Sequence, residues 1–136
     1  MYKKLLFLCT GNSCRSQMAE GLANLKLNKA FKIYSAGVEA HGLNPRAVKA
    51  MDEIGIDISG QQSQSISEDE LSGYNLIVTL CGDARDRCPV LLGDQRNIHW
   101  GLEDPANATG TEKEIMNVYR NFIQLITTFK YFWMLF

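Results

Sequence analysis

Two runs along the chain are almost continuously apolar. They are Lys3 to Cys9 (KKLLFLC), beyond its two lysines, and Asn75 to Cys81 (NLIVTLC). Short runs without polar alternation predict strands buried on both faces, as in a parallel sheet. Phe31 to Ala36 (FKIYSA) alternates and stops at Gly37, and Asn97 to Trp100 is a shorter candidate strand. Between these runs the spacing turns helical. After the polar turn Thr10 to Ser13, Met18, Leu22 and Leu25 share a face, with Ala19 and Ala23 beside it. Asn44 as cap and Pro45 at the first helical position predict a second helix. It carries Ala47, Val48, Met51 and Ile54 inward and ends at Gly55. Ser67 to Glu70 has capping-box spacing and predicts a short helix. Thr111 to Glu114 repeats that spacing and opens a last helix striped by Ile115, Tyr119, Phe122, Ile126 and Phe129. Strands alternating with helices predict an α/β fold of three layers, α/β/α, around a four-stranded parallel sheet. Sites in such sheets lie beyond the carboxyl ends of the strands. Cys9 and Cys81 fall there, with Cys88 just downstream.

At 136 residues the expectation is a single domain over positions 1–136, large enough to bury a core without staples. Hydrophobic residues make up 46% and charged residues 21%, the balance of an ordinary globular chain. Lys plus Arg is 14 against 15 for Asp plus Glu, a net charge of -1. That excludes the basic excess that nucleic-acid or membrane-surface binding needs. The longest apolar run, Tyr131 to Phe136, is too short to span a bilayer, and Leu5 to Cys9 is too short for a signal-peptide core. The expected location is cytoplasmic.

The cysteines, Cys9, Cys14, Cys81 and Cys88, lack the C-x2-C spacing of a zinc site, and His41 and His99 lie apart, so no metal centre is expected from them. The segment Cys9-Thr10-Gly11-Asn12-Ser13-Cys14-Arg15-Ser16 joins a buried strand to an amphipathic helix. A loop there points successive backbone N–H groups into one concavity, and the helix adds its positive end, which makes an oxyanion site. Gly11 permits unusual backbone angles and Asn12 is among the few other residues that tolerate them. Arg15 supplies a planar fork for two oxygens of a tetrahedral oxyanion. Cys9 would face the anion. A nucleophilic cysteine works as a thiolate, and the helix terminus, Arg15 and the hydroxyls of Ser13 and Ser16 all favour that form.

C-T-G-N-S-C-R-S-Q-M-A-E, residues 9 to 20, resembles the phosphate-binding loop shared by low-molecular-weight protein tyrosine phosphatases and thioredoxin-coupled arsenate reductases. The resemblance continues through Y-S-A-G-V (34–38), G-L-N-P-R-A-V-K-A-M (42–51), I-D-I-S (56–59), V-T-L-C ending at Cys81 and H-W-G-L-E-D-P (99–105). It implies the low-molecular-weight phosphatase topology, which is flavodoxin-like. Two features point to the reductase branch. Gln17 follows Ser16 where phosphatase loops usually have proline, and Cys81 and Cys88 sit where the reductases keep a redox pair. Taken alone, Cys81 also fits a strand-end core residue and Cys88 a chance thiol before Pro89.

The resemblance implies arsenate as substrate, with phosphate or sulfate as competing oxyanions, and thioredoxin as electron donor. Cys9 attacks arsenate and Asp104, before Pro105, donates the proton to the leaving oxygen; a turn cap is the plainer reading of Asp104. Cys81 then attacks Cys9 and Cys88 attacks Cys81, so the disulfide moves outward through a polar segment, 82–90, that rearranges. Cys14 matches a structural cysteine of the family and is assigned to packing. Some members bind potassium at positions matching Asn12, Glu20, Ser35 and Gln64. Aspartate is usual at the last, and Gln64 lacks the negative oxygen a hard cation wants, which argues against potassium here. No tightly bound cofactor is expected. His41 and His99 read as a turn histidine and a packed strand histidine. The tail Tyr131 to Phe136 fits either a terminus packed across the sheet edge or an exposed patch or dimer contact. Two other functions share these residues: a phosphatase hydrolysing phosphate monoesters through Cys9, and a non-enzymatic oxyanion-binding redox sensor.

Overall fold

The computed structural model describes residues 3–27, 31–82, 84, 95–129 and 132–133. Strand β1 (Lys3–Cys9) is buried from Leu5 to Cys9 because it lies inside a sheet ordered β2-β1-β3-β4. The other strands are β2 (Phe31–Gly37), β3 (Leu76–Thr79) and β4 (Arg96–His99). All three pairings are parallel, as the unbroken apolar run of β1 requires. Alternation along the strands divides the core between two faces. Leu5, Phe7 and Cys9 of β1 join Leu76 and Val78 of β3 on one side, and Leu6, Leu8 and Ile77 face the other.

Helices α1 (Arg15–Leu27), α2 (Pro45–Asp52) and α4 (Glu112–Thr127) cover the first face, and the short α3 (Glu68–Leu71) places Leu71 on the second. The expected three layers are therefore present. The starts are capped as expected. Asn44 Oδ1 accepts from the N–H groups of Arg46 and Ala47 at 2.8 and 3.3 Å. Thr111 and Glu114 exchange bonds at the start of α4, at 3.2 and 3.3 Å. Bidentate ion pairs Arg46–Glu112 and Arg120–Glu53 align α2 and its C-terminal turn with α4. These pairs are half-exposed, so they orient the helices more than they hold them.

Two expected core positions are corrected. Leu25 is 66% exposed and Ile54 is 52% exposed. The flank of α1 that Leu25 continues is covered a turn earlier, where Gly21 meets Ile58 and Met51. The helix α2 ends at Asp52, so Ile54 lies in the following turn and does not extend the stripe. Both residues line a shallow groove with Ile56 and Ile123. Strand β3 is also shorter than the apolar run, ending at Thr79: Leu80 N–H still donates to Leu8 O of β1, but the Leu80 carbonyl goes to Arg15 and Cys81 Sγ to Thr10. Within the tail, Phe132 is buried and Trp133 half-buried, both edge-on to the Trp100 ring at 4.8 and 6.1 Å. The packed reading holds for these two residues; Tyr131 and positions 134–136 lie outside the described residues. Among the described residues no helix is long and apolar enough to cross a membrane.

One contact couples the sheet to the loop above it. A Cβ on Gly37 would lie 2.3 Å from the Glu39 carbonyl oxygen, 2.6 Å from that of Thr10 and 2.7 Å from the Asn12 nitrogen. All three are backbone atoms, so none can swing aside. Gly37→Ala should lower stability by about 1–3 kcal/mol, the cost of overpacking. Gly60→Ala, where nothing lies within 4 Å, should change little. Urea unfolding of both variants checks this; equal midpoints would show that the Gly37 contact carries no such constraint.

Candidate active site

The loop from Cys9 to Arg15 is held from outside by the segment that follows β2. The carbonyls of Cys9, Thr10, Gly11 and Ser13 accept from the N–H groups of Val38, Glu39, His41 and Asn44 at 2.8–3.0 Å. Asn12 takes φ 48°, as expected of a residue that tolerates it. Gly11 is not a positive-φ residue; a Cβ there would displace the half-exposed His41 ring that lies against it.

The loop and its neighbours line a cavity of about 470 Å3. Cys9, Thr10, Gly11, Ser13, Cys14 and Arg15 form one wall, with His41, Asp104, Ala106 and Asn107 completing it. Cys9 Sγ lies 2.8 Å from Ser16 Oγ, which also accepts from Asn12 Nδ2 at 2.8 Å. A hydroxyl that accepts the amide keeps its single proton for the sulfur, the arrangement a thiolate wants. Arg15 is buried. Its Nη1 donates to the carbonyls of Leu80 and Leu102 at 2.9 and 3.0 Å, and Nη2 stands 3.5 Å from Asp104 Oδ2. Asp104 also caps the 3-10 turn Pro105–Asn107, accepting from Ala106 N at 3.0 Å. Turn cap and cavity carboxylate are thus one residue.

Cys81 reaches the loop from beneath: its Sγ is 3.1 Å from Thr10 Oγ1 and accepts from Ala84 N at 3.3 Å. Cys88 lies outside the described residues. Cys14 is buried, and burial together with Asp104 pushes its thiol far above the ordinary range, with Arg15 opposing. It packs in the core and also lines the cavity wall. His99 is on β4 as expected, with Nδ1 2.8 Å from Thr79 Oγ1, but it is exposed on this edge strand and is not the packed histidine expected. His41 is more than a turn histidine, since it lines the cavity beside Cys9. The alternation of Glu39 and His41 after β2 was the available signal. Gln17 does more than mark a branch of the family. It is fully buried, donates to the carbonyls of Asn12 and Gln62 at 3.0 Å, and accepts from Gln61 Nε2 at 2.8 Å.

Asn12, Glu20, Ser35 and Gln64 do come together. Asn12 Nδ2 donates to Ser35 Oγ, and the Ser35 hydroxyl donates to Glu20. Gln64 N donates to Asn12 Oδ1 at 2.8 Å, while Gln64 Nε2 donates to the Ser35 carbonyl at 3.0 Å. Burial raises the Glu20 carboxyl above the usual carboxylate range, partly offset by the Ser35 hydroxyl and N–H. A hard cation needs several free oxygens. Here amide hydrogens already occupy the Asn12 and Ser35 oxygens, so the donor set does not suit potassium.

Over residues 4–130 the chain matches the model for low molecular weight phosphotyrosine protein phosphatases. The chain belongs to that family. The arsenate reductase of Bacillus subtilis (strain 168) is 61% identical over 112 residues, 82% of this chain and 81% of the relative. A solved arsenate reductase in its reduced state has a TM-score of 0.70 at 35% identity, covering 91% of this chain and 90% of that one. The low molecular weight protein tyrosine phosphatase from T. tengcongensis has a TM-score of 0.73 at 30% identity, covering 92% of each chain. The phosphatase-family topology expected from the sequence is therefore present.

The amide-filled cluster carries a prediction. Potassium chloride and tetramethylammonium chloride at equal ionic strength should give the same melting temperature. Gln64→Asp, which restores an anionic oxygen, should add a potassium-dependent rise of a few degrees. A potassium-specific rise in the unaltered protein would contradict this account of the cluster.

Proposed function

We propose that the chain reduces arsenate to arsenite, with Cys9 as nucleophile and Cys81 and Cys88 carrying the disulfide outward to thioredoxin. The observation that supports it most is a second thiol tied to the anion loop, Cys81 on the Thr10 hydroxyl. Hydrolysis of a phosphate monoester has no use for that sulfur. Reduction requires it.

In the first step the Cys9 thiolate attacks arsenic and an As–O bond breaks. Asp104 gives the departing oxygen its proton, and the loop N–H groups with Arg15 hold the remaining oxygens. The outward-turned carbonyls of Cys9, Thr10, Gly11 and Ser13 support that use of the N–H groups. Next the Cys81 thiolate attacks Cys9 Sγ. An S–S bond forms, the S–As bond breaks, and its electron pair stays on arsenic, which leaves as arsenite. Cys88 then attacks Cys81, freeing Cys9 and passing on a Cys81–Cys88 disulfide for a reduced thioredoxin dithiol.

Cys9, Arg15 and Asp104 line one cavity and suffice for the phosphatase reading, so hydrolysis of an aryl phosphate is expected as a side activity. It should persist in reduced Cys81→Ser, which loses arsenate reduction, and vanish with Cys9→Ser. NADPH consumption with thioredoxin, thioredoxin reductase and arsenate tests the main reading. Sustained arsenate-dependent oxidation is expected. Good phosphatase activity without it would overturn the reductase reading, and a single stoichiometric oxidation without further arsenite would favour the redox sensor.

A further inference from the structure

The mechanism above assigns one cation to a cavity that must hold a doubly charged oxyanion, and much of that cation is already committed. Arg15 gives Nη1 to two carbonyls and stands beside the Asp104 carboxylate, so few of its N–H donors are left for the anion. Among the described residues, His41 is the other cavity residue able to carry positive charge. Its main chain is fixed to the loop, donating to the Gly11 carbonyl at 2.9 Å, and Glu39 is fixed the same way to Thr10 at 2.8 Å. Glu39 Oε2 lies 2.6 Å from His41 Nε2. Nδ1 is on the loop side of the ring, against Gly11. With Nε2–H held by the carboxylate, protonation places the second N–H at Nδ1, beside the loop.

We propose that His41, oriented by Glu39, is a second cationic contact for the oxyanion in the Cys9–Arg15 loop, so that anion affinity falls as the imidazole loses its proton. This rests on the proposed function only for which oxyanion is used; the contact itself concerns binding. Among the described residues, the titratable and charged groups facing the cavity or His41 are Glu39 from the same segment, Cys9, Cys14 and Arg15 from the loop and α1, and Asp104 from the segment after β4. Asp104 and the thiols remain in a His41 variant, so comparing the two proteins isolates the ring.

Sulfate is the probe because it stays doubly charged across the range used. Its dissociation constant is read from protection of Cys9 against alkylation, in the unaltered protein and in His41→Gln. At about pH 5.5 the variant should bind sulfate about fivefold more weakly, the scale of a half-exposed ion pair, and at about pH 8.5 the two should agree. A residue needed only for structure would give the same ratio at both values. Proton NMR of the unaltered protein gives a second readout that needs no variant. Sulfate should hold the His41 ring protonated to higher pH, by the reciprocity of binding, while His99 on β4 does not respond. Equal sulfate affinity of the two proteins at about pH 5.5, or an unmoved His41 resonance, overturns the proposal even if arsenate reduction is sustained. Loss of arsenate reduction with sulfate binding intact and His41-dependent would leave the contact standing and remove the reductase reading.

Discussion

The Arg15 guanidinium is the constraint on which the rest of the site depends. Burying a cation costs several kcal/mol unless its donors are met, and Arg15 meets that cost across the sheet. One nitrogen donates to the carbonyl of Leu80, just past β3, and to that of Leu102, past β4. The other faces Asp104. The first turn of α1, the end of β3 and the segment after β4 are therefore held in one register by a single side chain. That register places Cys9, Asp104 and the loop around one cavity, and it explains why β3 stops at Thr79 although the apolar run continues to Cys81.

The loop's second support is polar and buried. Gln17, Gln61 and Gln64 form a set of side-chain amides around Asn12, Ser35 and Glu20, with Gln17 and Gln64 each donating to a main-chain carbonyl. A buried network of this kind is favourable only when its members are satisfied, and among the described residues no buried side-chain nitrogen or oxygen lacks a partner. The positive φ of Asn12 is held by bonds to both ends of its side chain.

Much of this was legible in the residues. The apolar runs located β1 and β3, the caps Asn44, Ser67 and Thr111 located three helix starts, and the strand–loop–helix position of Cys9 located the cavity. What was not legible depended on distance across the fold. Leu25 follows the helical period yet is exposed, because the covering segment ends a turn before it. Gly11 reads as a flexibility residue, but it lies against the ring of His41, thirty positions away. The Thr10–Cys81 contact joins residues 71 apart, and no local pattern announces it. Asp104 showed two readings that the structure makes compatible, since one oxygen caps the turn and the other faces Arg15.

The central claim is that electrons reach arsenic through Cys9 and Cys81 in that order. It is tested most directly by Cys88→Ser given excess arsenate with thioredoxin, thioredoxin reductase and NADPH, then acid-quenched and mapped for disulfides by mass spectrometry. The account predicts release of about one arsenite per protein and a chain stopped with Cys9 joined to Cys81, too enclosed for thioredoxin to reach. Sustained thioredoxin-coupled turnover by that variant, or a Cys9–Cys14 disulfide in its place, would contradict it.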